Sequence, residues 1–226
     1  MGYFIRRFSA AIVLVALLPG CGAITGVEQV LDVFELGRLL GDHHTDGELL
    51  PVQTQKLFLE AMVPHHEMAI EMATVALDRG QLEEIKDMAQ MVIDAQSGEI
   101  TQMEVIHQRL FLSPIQPSLE AHHELGLSEE AAGMHVEMDS LMAADPFDPE
   151  FIDMMILHHQ GAIRMARILL ANNFDPELET LANSIITAQS AEIQDMNALR
   201  SEHYGGPSPS GGVPGEGDAG NHGGEH

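Results

Sequence analysis

One 20-residue segment occurs twice in this chain. FLEAMVPHHEMAIEMATVAL, from Phe58 to Leu77, returns as FIDMMILHHQGAIRMARILL, from Phe151 to Leu170. The offset is 93 residues and holds without a gap into the next segment, where AQSGEI from Ala95 becomes AQSAEI from Ala188. Such a repeat constrains the fold to two copies of one helical hairpin. Common to both copies are Met62 and Met155, His65 and His158, His66 and His159, Met72 and Met165, and Met103 and Met196. Imidazole and thioether donors together point to a metal, copper first.

Helical periodicity runs through residues 52–79, 81–110, 149–172 and 176–204, and no segment alternates like a strand. Breaks fall at Arg79-Gly80, from Ser113-Pro114 to Pro117, at Asp145-Pro146, and at Asn173-Phe174-Asp175-Pro176, the last a helix start signal. Leu127-Ser128-Glu129-Glu130 predicts a shorter extra helix ending near Ala144. Two short hairpins joined by a longer crossover describe an all-α four-helix bundle over residues 51–204. With aromatics at 4%, its core must come from Leu, Ile, Val, Ala and Met.

On a helical wheel centred on His65, the residues Phe58, Met62, His66, Ala69, Met72 and Ala73 share one arc of about 120°. Phe151, Met155, His158, His159, Ala162, Met165 and Ala166 repeat it, and the small alanines leave room beside the imidazoles. Around Gln96, a stripe holds Ala89, Ile93, Ile100 and Met103, with His107 one turn on. Gln189 and Met196 match it, but Arg200 takes the place of His107 and Gly161 that of Met68, which predicts two related but unequal metal sites. In the predicted extra helix, Met134, His135, Met138 and Met142 would share a face. Methionine stripes also serve as core filler. Buried histidine pairs cost free energy unless partnered, and carboxylates such as Glu99 and Glu192 are available for that purpose.

Residues 1–20 have the order of an export signal: Arg6 and Arg7, an apolar run from Ala10 to Leu18, then small residues. That run is short for a membrane span. Leu18-Pro19-Gly20-Cys21 resembles a bacterial lipoprotein cleavage box, with proline at its second position as a departure. Lipid on Cys21 would anchor the mature chain to the outer face of the membrane, with residues 21–50 as tether. It would also consume the only cysteine, leaving thioethers as the soft donors in an oxidising compartment. Residues 205–226, rich in glycine, proline and serine, predict a disordered tail. The formal charge of −25, from 35 acidic and 10 basic residues, repels phosphate backbones and excludes nucleic acid as a partner.

Di-iron bundles need a Glu-x-x-His from each of two helices, and the four long segments hold one, Glu104 to His107. Structural zinc prefers thiolates. Mixed His and Met ligation suits Cu(I), and imidazole accepts Cu(II) as well. The segments MVPHHEMAIEMA and MILHHQGAIRMA, with Gly133-Met134 and the lead-in from Phe147 to Phe151, resemble the ferritin-like "domain of unknown function 305" family of exported bacterial proteins. The resemblance spans about Thr54 to His203. It implies a four-helix bundle and, for some relatives, extracytoplasmic copper binding. The matching positions are Met62, His65, His66, Met72, Met155, His158, His159 and Met165, while Gln55 departs from the acid found at Asp148 in the second copy. Met103, Met196, His107, Met134, His135 and Met138 complete the candidate ligands. The expected function is binding copper for buffering, resistance or delivery, without turnover. A homo-oligomer or a copper-trafficking partner is compatible with that role. A metal-dependent redox enzyme using Glu99 and Glu192, and a metal-free adapter bundle at the membrane, are the competing readings.

Overall fold

The computed structural model describes residues 49–215. The export signal, Cys21 and nearly all of the tether lie outside the described residues. Helix α1 spans Pro51–Arg79, α2 Glu83–Phe111, α3 Ala121–Glu124, α4 Met138–Ala143, α5 Phe147–Ala171 and α6 Pro176–His203. The four long helices start and stop within about two residues of the periodic segments, the usual scatter of helix ends. Among the described residues there are six helices and no strand, and the long ones form a four-helix bundle of two hairpins.

α1 packs on α2 and α5 on α6, while the contact between hairpins runs mainly through α1 and α5. Each hairpin grips the turn of the other. Asp148, at the start of α5, accepts hydrogen bonds from the backbone N–H of Gln81 (2.8 Å) and Leu82 (3.0 Å) ahead of α2, and from the Tyr204 hydroxyl (2.8 Å). Gln55, its counterpart in α1, donates to the Asn173 side chain in the second turn (2.8 Å). The different residue types have a local cause. α6 is capped by its own Asp175, which accepts from Glu177 N–H (3.1 Å) and Leu178 N–H (3.0 Å). α2 has Leu82 at its N-cap, with no side-chain cap of its own, and Asp148 supplies the missing acceptor from the other hairpin.

The core divides into two clusters that mirror the repeat. Phe58, Met62, Met103 and Met165 fall in one; Phe151, Met155, Met196 and Met72 fall in the other. Each cluster thus takes three of the six duplicated methionines, two from one hairpin and one from its partner. Ala162 and Ala166 lie in the first cluster and Ala69 and Ala73 in the second, all fully buried.

The crossover departs from the predicted extra helix. Residues 128–134 make one turn, which ends with Met134 N–H on Glu129 O and Gly133 N–H on Glu130 O, the paired bonds of a Schellman closure. Gly133 adopts φ +66°, as that closure requires. Only Met138–Ala143 is helical beyond it. Met134 therefore joins the first cluster, Met138 packs on the second, His135 is exposed and Met142 is half exposed, so the four share no face. Contact across the fold imposes this break. The Ala132-Gly133 backbone lies directly on α5, and a Cβ on Gly161 would come 1.9 Å from Ala132 O. Glycine in place of Met68's counterpart is thus a steric requirement of the crossover.

Two further contacts seat the crossover. Pro64, inside α1, has no N–H, and the Glu60 carbonyl it leaves free accepts from Ser118 N–H (2.8 Å). Arg79 donates to the carbonyls of Leu141, Met142 and Ala144 and stacks over the Phe147 ring, 5.0 Å from its centroid.

The tail also differs from expectation over residues 205–215, which lie against α5 and α6. With Val213 as its one apolar side chain besides prolines, this stretch is held mainly by side chains that donate to its carbonyls. Gln160 bonds Ser210 O and Gly212 O, Arg167 bonds Pro214 O and Gly215 O, Asn197 bonds Gly211 O, and Arg200 bonds Gly206 O and Pro207 O. The first hairpin has Glu67, Thr74, Glu104 and His107 at those positions. Residues 216–226, with His222 and His226, lie outside the described residues.

Asp148→Ala should lower the free energy of urea unfolding by about 2–3 kcal/mol, since it strands two backbone donors and the half-buried Tyr204 hydroxyl; Gln55→Ala should cost less than about 1.5 kcal/mol. Gly161→Ala should cost about 1–3 kcal/mol by overpacking. Gly98, exposed in α2 with open space around it and matched by Ala191 in the second copy, should gain about 0.5–1 kcal/mol on replacement by alanine.

Candidate metal centre

The duplicated histidines meet where the two clusters join. His65, His66, His158 and His159 have no exposed surface. The rings of His65 and His158, one from each hairpin, lie with centroids 3.6 Å apart, and His66 is 6.2 Å from His65. The outer two are each fixed from the neighbouring helix of the same hairpin. His66 Nε2 lies 2.8 Å from Glu99 Oε2, and His159 Nε2 lies 2.6 Å from Glu192 Oε2. The separation along the chain is 33 residues in both pairs, as the repeat demands.

These contacts assign protons. A carboxylate or a carbonyl can only accept, so Nε2 of His66 and of His159 donates, and the basic lone pair is left on Nδ1. His65 Nε2 donates to Ala132 O in the crossover turn (3.1 Å), which leaves its Nδ1 in the same state. Nδ1 of His65, His66 and His159, and both ring nitrogens of His158, are buried without a hydrogen-bond partner of normal geometry among the described residues. On α2 and α6, the side-chain amides of Gln96 and Gln189 are buried and equally unpartnered among the described residues. Such groups are costly in a core unless they serve a ligand or bind water. A histidine held through one nitrogen by a carboxylate, with the other left free, is the arrangement that orients metal ligands.

Burial, followed by the charge that each neighbouring imidazole would carry, holds His65 and His158 well below the usual 6.5. The central pair is therefore neutral, the form that binds metal. Among the described residues no three His, Cys, Asp or Glu side chains surround one point as metal ligands. A metal here would need thioether as well as imidazole donors, and Met62, Met72, Met103, Met155, Met165 and Met196 are all fully buried. These donors fit copper in chemistry, with three duplicated thioethers in each core cluster and four buried imidazoles between the hairpins.

The remaining candidates lie apart from this centre. His107 sits near the C-terminal end of α2, its Nδ1 3.0 Å from Ser113 O and its ring 4.8 Å from that of Phe111. Arg200, its counterpart, pairs with Asp153 at 2.7 Å besides holding the tail. The inequality of these two positions thus has a structural cause in the docked tail. His135 stands between Glu129 (4.0 Å) and Glu137 (3.5 Å) on the surface. Sequence reasoning passed over Gln96 and Gln189 as ligand-side groups, although both are duplicated amides on a core face. It also passed over His122-His123, which has no copy at the 93-residue offset.

His122, like the central pair, is held below its usual value by burial and then by His123. In the unfolded chain all three rings protonate near pH 6.5. Below that pH the unfolded state binds more protons than the folded state, so stability must fall as pH falls. Each ring contributes a slope of about 1.4 kcal/mol per pH unit when fully developed. Urea unfolding should show a loss of at least about 1.4 kcal/mol between pH 6.5 and 5.0, and His65→Gln/His158→Gln should remove most of that slope. A flat wild-type profile would contradict the assignment.

Known proteins share this architecture. CopM in its Cu(I)-bound form is 36% identical, with 67% of this chain and 98% of that chain covered, at a TM-score of 0.58. CopM in its Cu(II)-bound form is 35% identical, covering 66% and 98%, at 0.56. A DUF305 protein from Streptomyces coelicolor, 23% identical over 69% of this chain and 96% of its own, shares the fold at 0.61. An uncharacterized protein, L153, of Acanthamoeba polyphaga mimivirus is 36% identical over 55 residues, 24% of this chain and 36% of that relative. The family described as "Domain of unknown function (DUF305)" matches residues 55–200. The chain belongs to the DUF305 family.

Proposed function

We propose that this protein binds copper outside the cytoplasm, for buffering, resistance or delivery, and does so without turnover. The observation that carries the reading is the buried set of four imidazoles, three of them fixed through Nε2 so that Nδ1 keeps its lone pair. Structures of CopM with Cu(I), Cu(II) and Ag bound, from a chain 35–36% identical, support it. Copper is the cargo. His65, His66, His158 and His159 would supply nitrogen for either oxidation state, and Met62, Met103, Met165, Met72, Met155 and Met196 the thioethers that favour Cu(I). Glu99 and Glu192 act through the histidines they orient. His107, Met134, His135 and Met138 are outlying donors in this reading.

The redox-enzyme reading requires open coordination positions and a carboxylate near the histidines; Glu99 and Glu192 lie there, each already hydrogen-bonded to an imidazole. Lipid on Cys21 remains the proposed anchor. No helix among the described residues is long and apolar enough to cross a membrane. The adapter reading requires that copper leave stability unchanged.

Binding to the folded state alone should raise unfolding free energy by about 2.7 kcal/mol when free Cu(I) is a hundred times Kd. Anaerobic thermal melts of the full mature chain should show that rise. They should show none for the quadruple variant His65→Gln, His66→Gln, His158→Gln, His159→Gln. Equal response of the two proteins, or no response in either, contradicts the proposal.

A further inference from the structure

A third histidine pair lies in the crossover, where the repeat has no counterpart. His122 and His123 belong to α3, with ring centroids 4.0 Å apart. His122 is 3% exposed, and neither of its ring nitrogens has a hydrogen-bond partner of normal geometry among the described residues. That is costly for an imidazole cut off from water. His123 Nδ1 lies 3.1 Å from Leu127 O and its Nε2 3.6 Å from Glu120 Oε2. Glu120 and Glu129 both lie close enough to His122 to favour its charged form, against the stronger effect of burial. Glu129 also reaches His135. His122 is therefore a buried imidazole whose nitrogens lack a hydrogen-bond partner of normal geometry, with the His123 ring 4.0 Å away and the exposed Glu120 and Glu129 carboxylates not gathered around it as ligands.

We propose that His122, His123, Glu120 and Glu129 form a peripheral site for a borderline divalent cation of the Zn(II) or Cu(II) class, distinct from the buried centre. Imidazole with carboxylate suits these ions, whereas Cu(I) prefers the thioethers of the bundle core. The carboxylates complete the site by turning inward. Glu120 and Glu129 have side chains 83% and 60% exposed, so rotation about their side-chain bonds displaces nothing packed.

Equilibrium dialysis of the full mature chain against Zn(II) tests this. The His122→Gln/His123→Gln variant should bind one equivalent less than wild type, while the quadruple variant at His65, His66, His158 and His159 keeps that equivalent. Glu120→Gln/Glu129→Gln alters only exposed side chains, so it folds even if the histidine variant does not. It should weaken the same equivalent about 10-fold or more. Unchanged Zn(II) binding in the carboxylate variant, or equal stoichiometry in a folded His122→Gln/His123→Gln protein, overturns the site. Neither result bears on Cu(I) binding at the centre, which the melts above decide separately.

Discussion

The contact between the His65 and His158 rings sets the terms for the rest of the bundle. Two imidazoles from different hairpins, 3.6 Å apart and without exposed surface, must be neutral to be tolerated together. Everything around them maintains that state. His66 and His159 are turned outward onto Glu99 and Glu192, and the crossover brings a single carbonyl, Ala132 O, down onto His65. Closing the centre against water strengthens what remains inside it. Unpartnered nitrogens and buried sulfur are costly as filler but apt as donors.

The two halves are related by reciprocal contacts. Asp148 and Gln55 each reach the opposite turn, and the two methionine triplets exchange under the 93-residue offset. Departures from that relation trace to the single-copy segments. Gly161 replaces Met68's counterpart because the crossover backbone lies on it. Gln160, Arg167, Asn197 and Arg200 replace residues that donate little because residues 205–215 need donors. Asymmetry that read as two unequal metal sites thus includes a steric and hydrogen-bonding component unrelated to metal.

Much of this was legible before any coordinates. The helices could be read because periodicity, Gly80 and Asp175-Pro176 act locally, and the wheel placed each histidine pair on one core face. The wheel could not say which face meets which, so the His65–His158 contact and the division of methionines between clusters needed the fold. The crossover was misread because Met134, Met138 and Met142 keep a helical spacing beyond Gly133. Gly133 is a local stop signal for that turn, but its close seat on α5 depends on Gly161, some thirty residues away. Residues 205–215 were misread for a related reason: they have almost no apolar residues with which to bury themselves, and the donors that hold them belong to α5 and α6.

X-ray absorption at the copper K edge of the Cu(I)-loaded mature protein tests the central claim most directly. The account predicts a first shell containing both sulfur and imidazole nitrogen, with the imidazole contribution lost when His65, His66, His158 and His159 are replaced by glutamine. A shell of oxygen and nitrogen alone, or an unchanged spectrum in the variant, would contradict it.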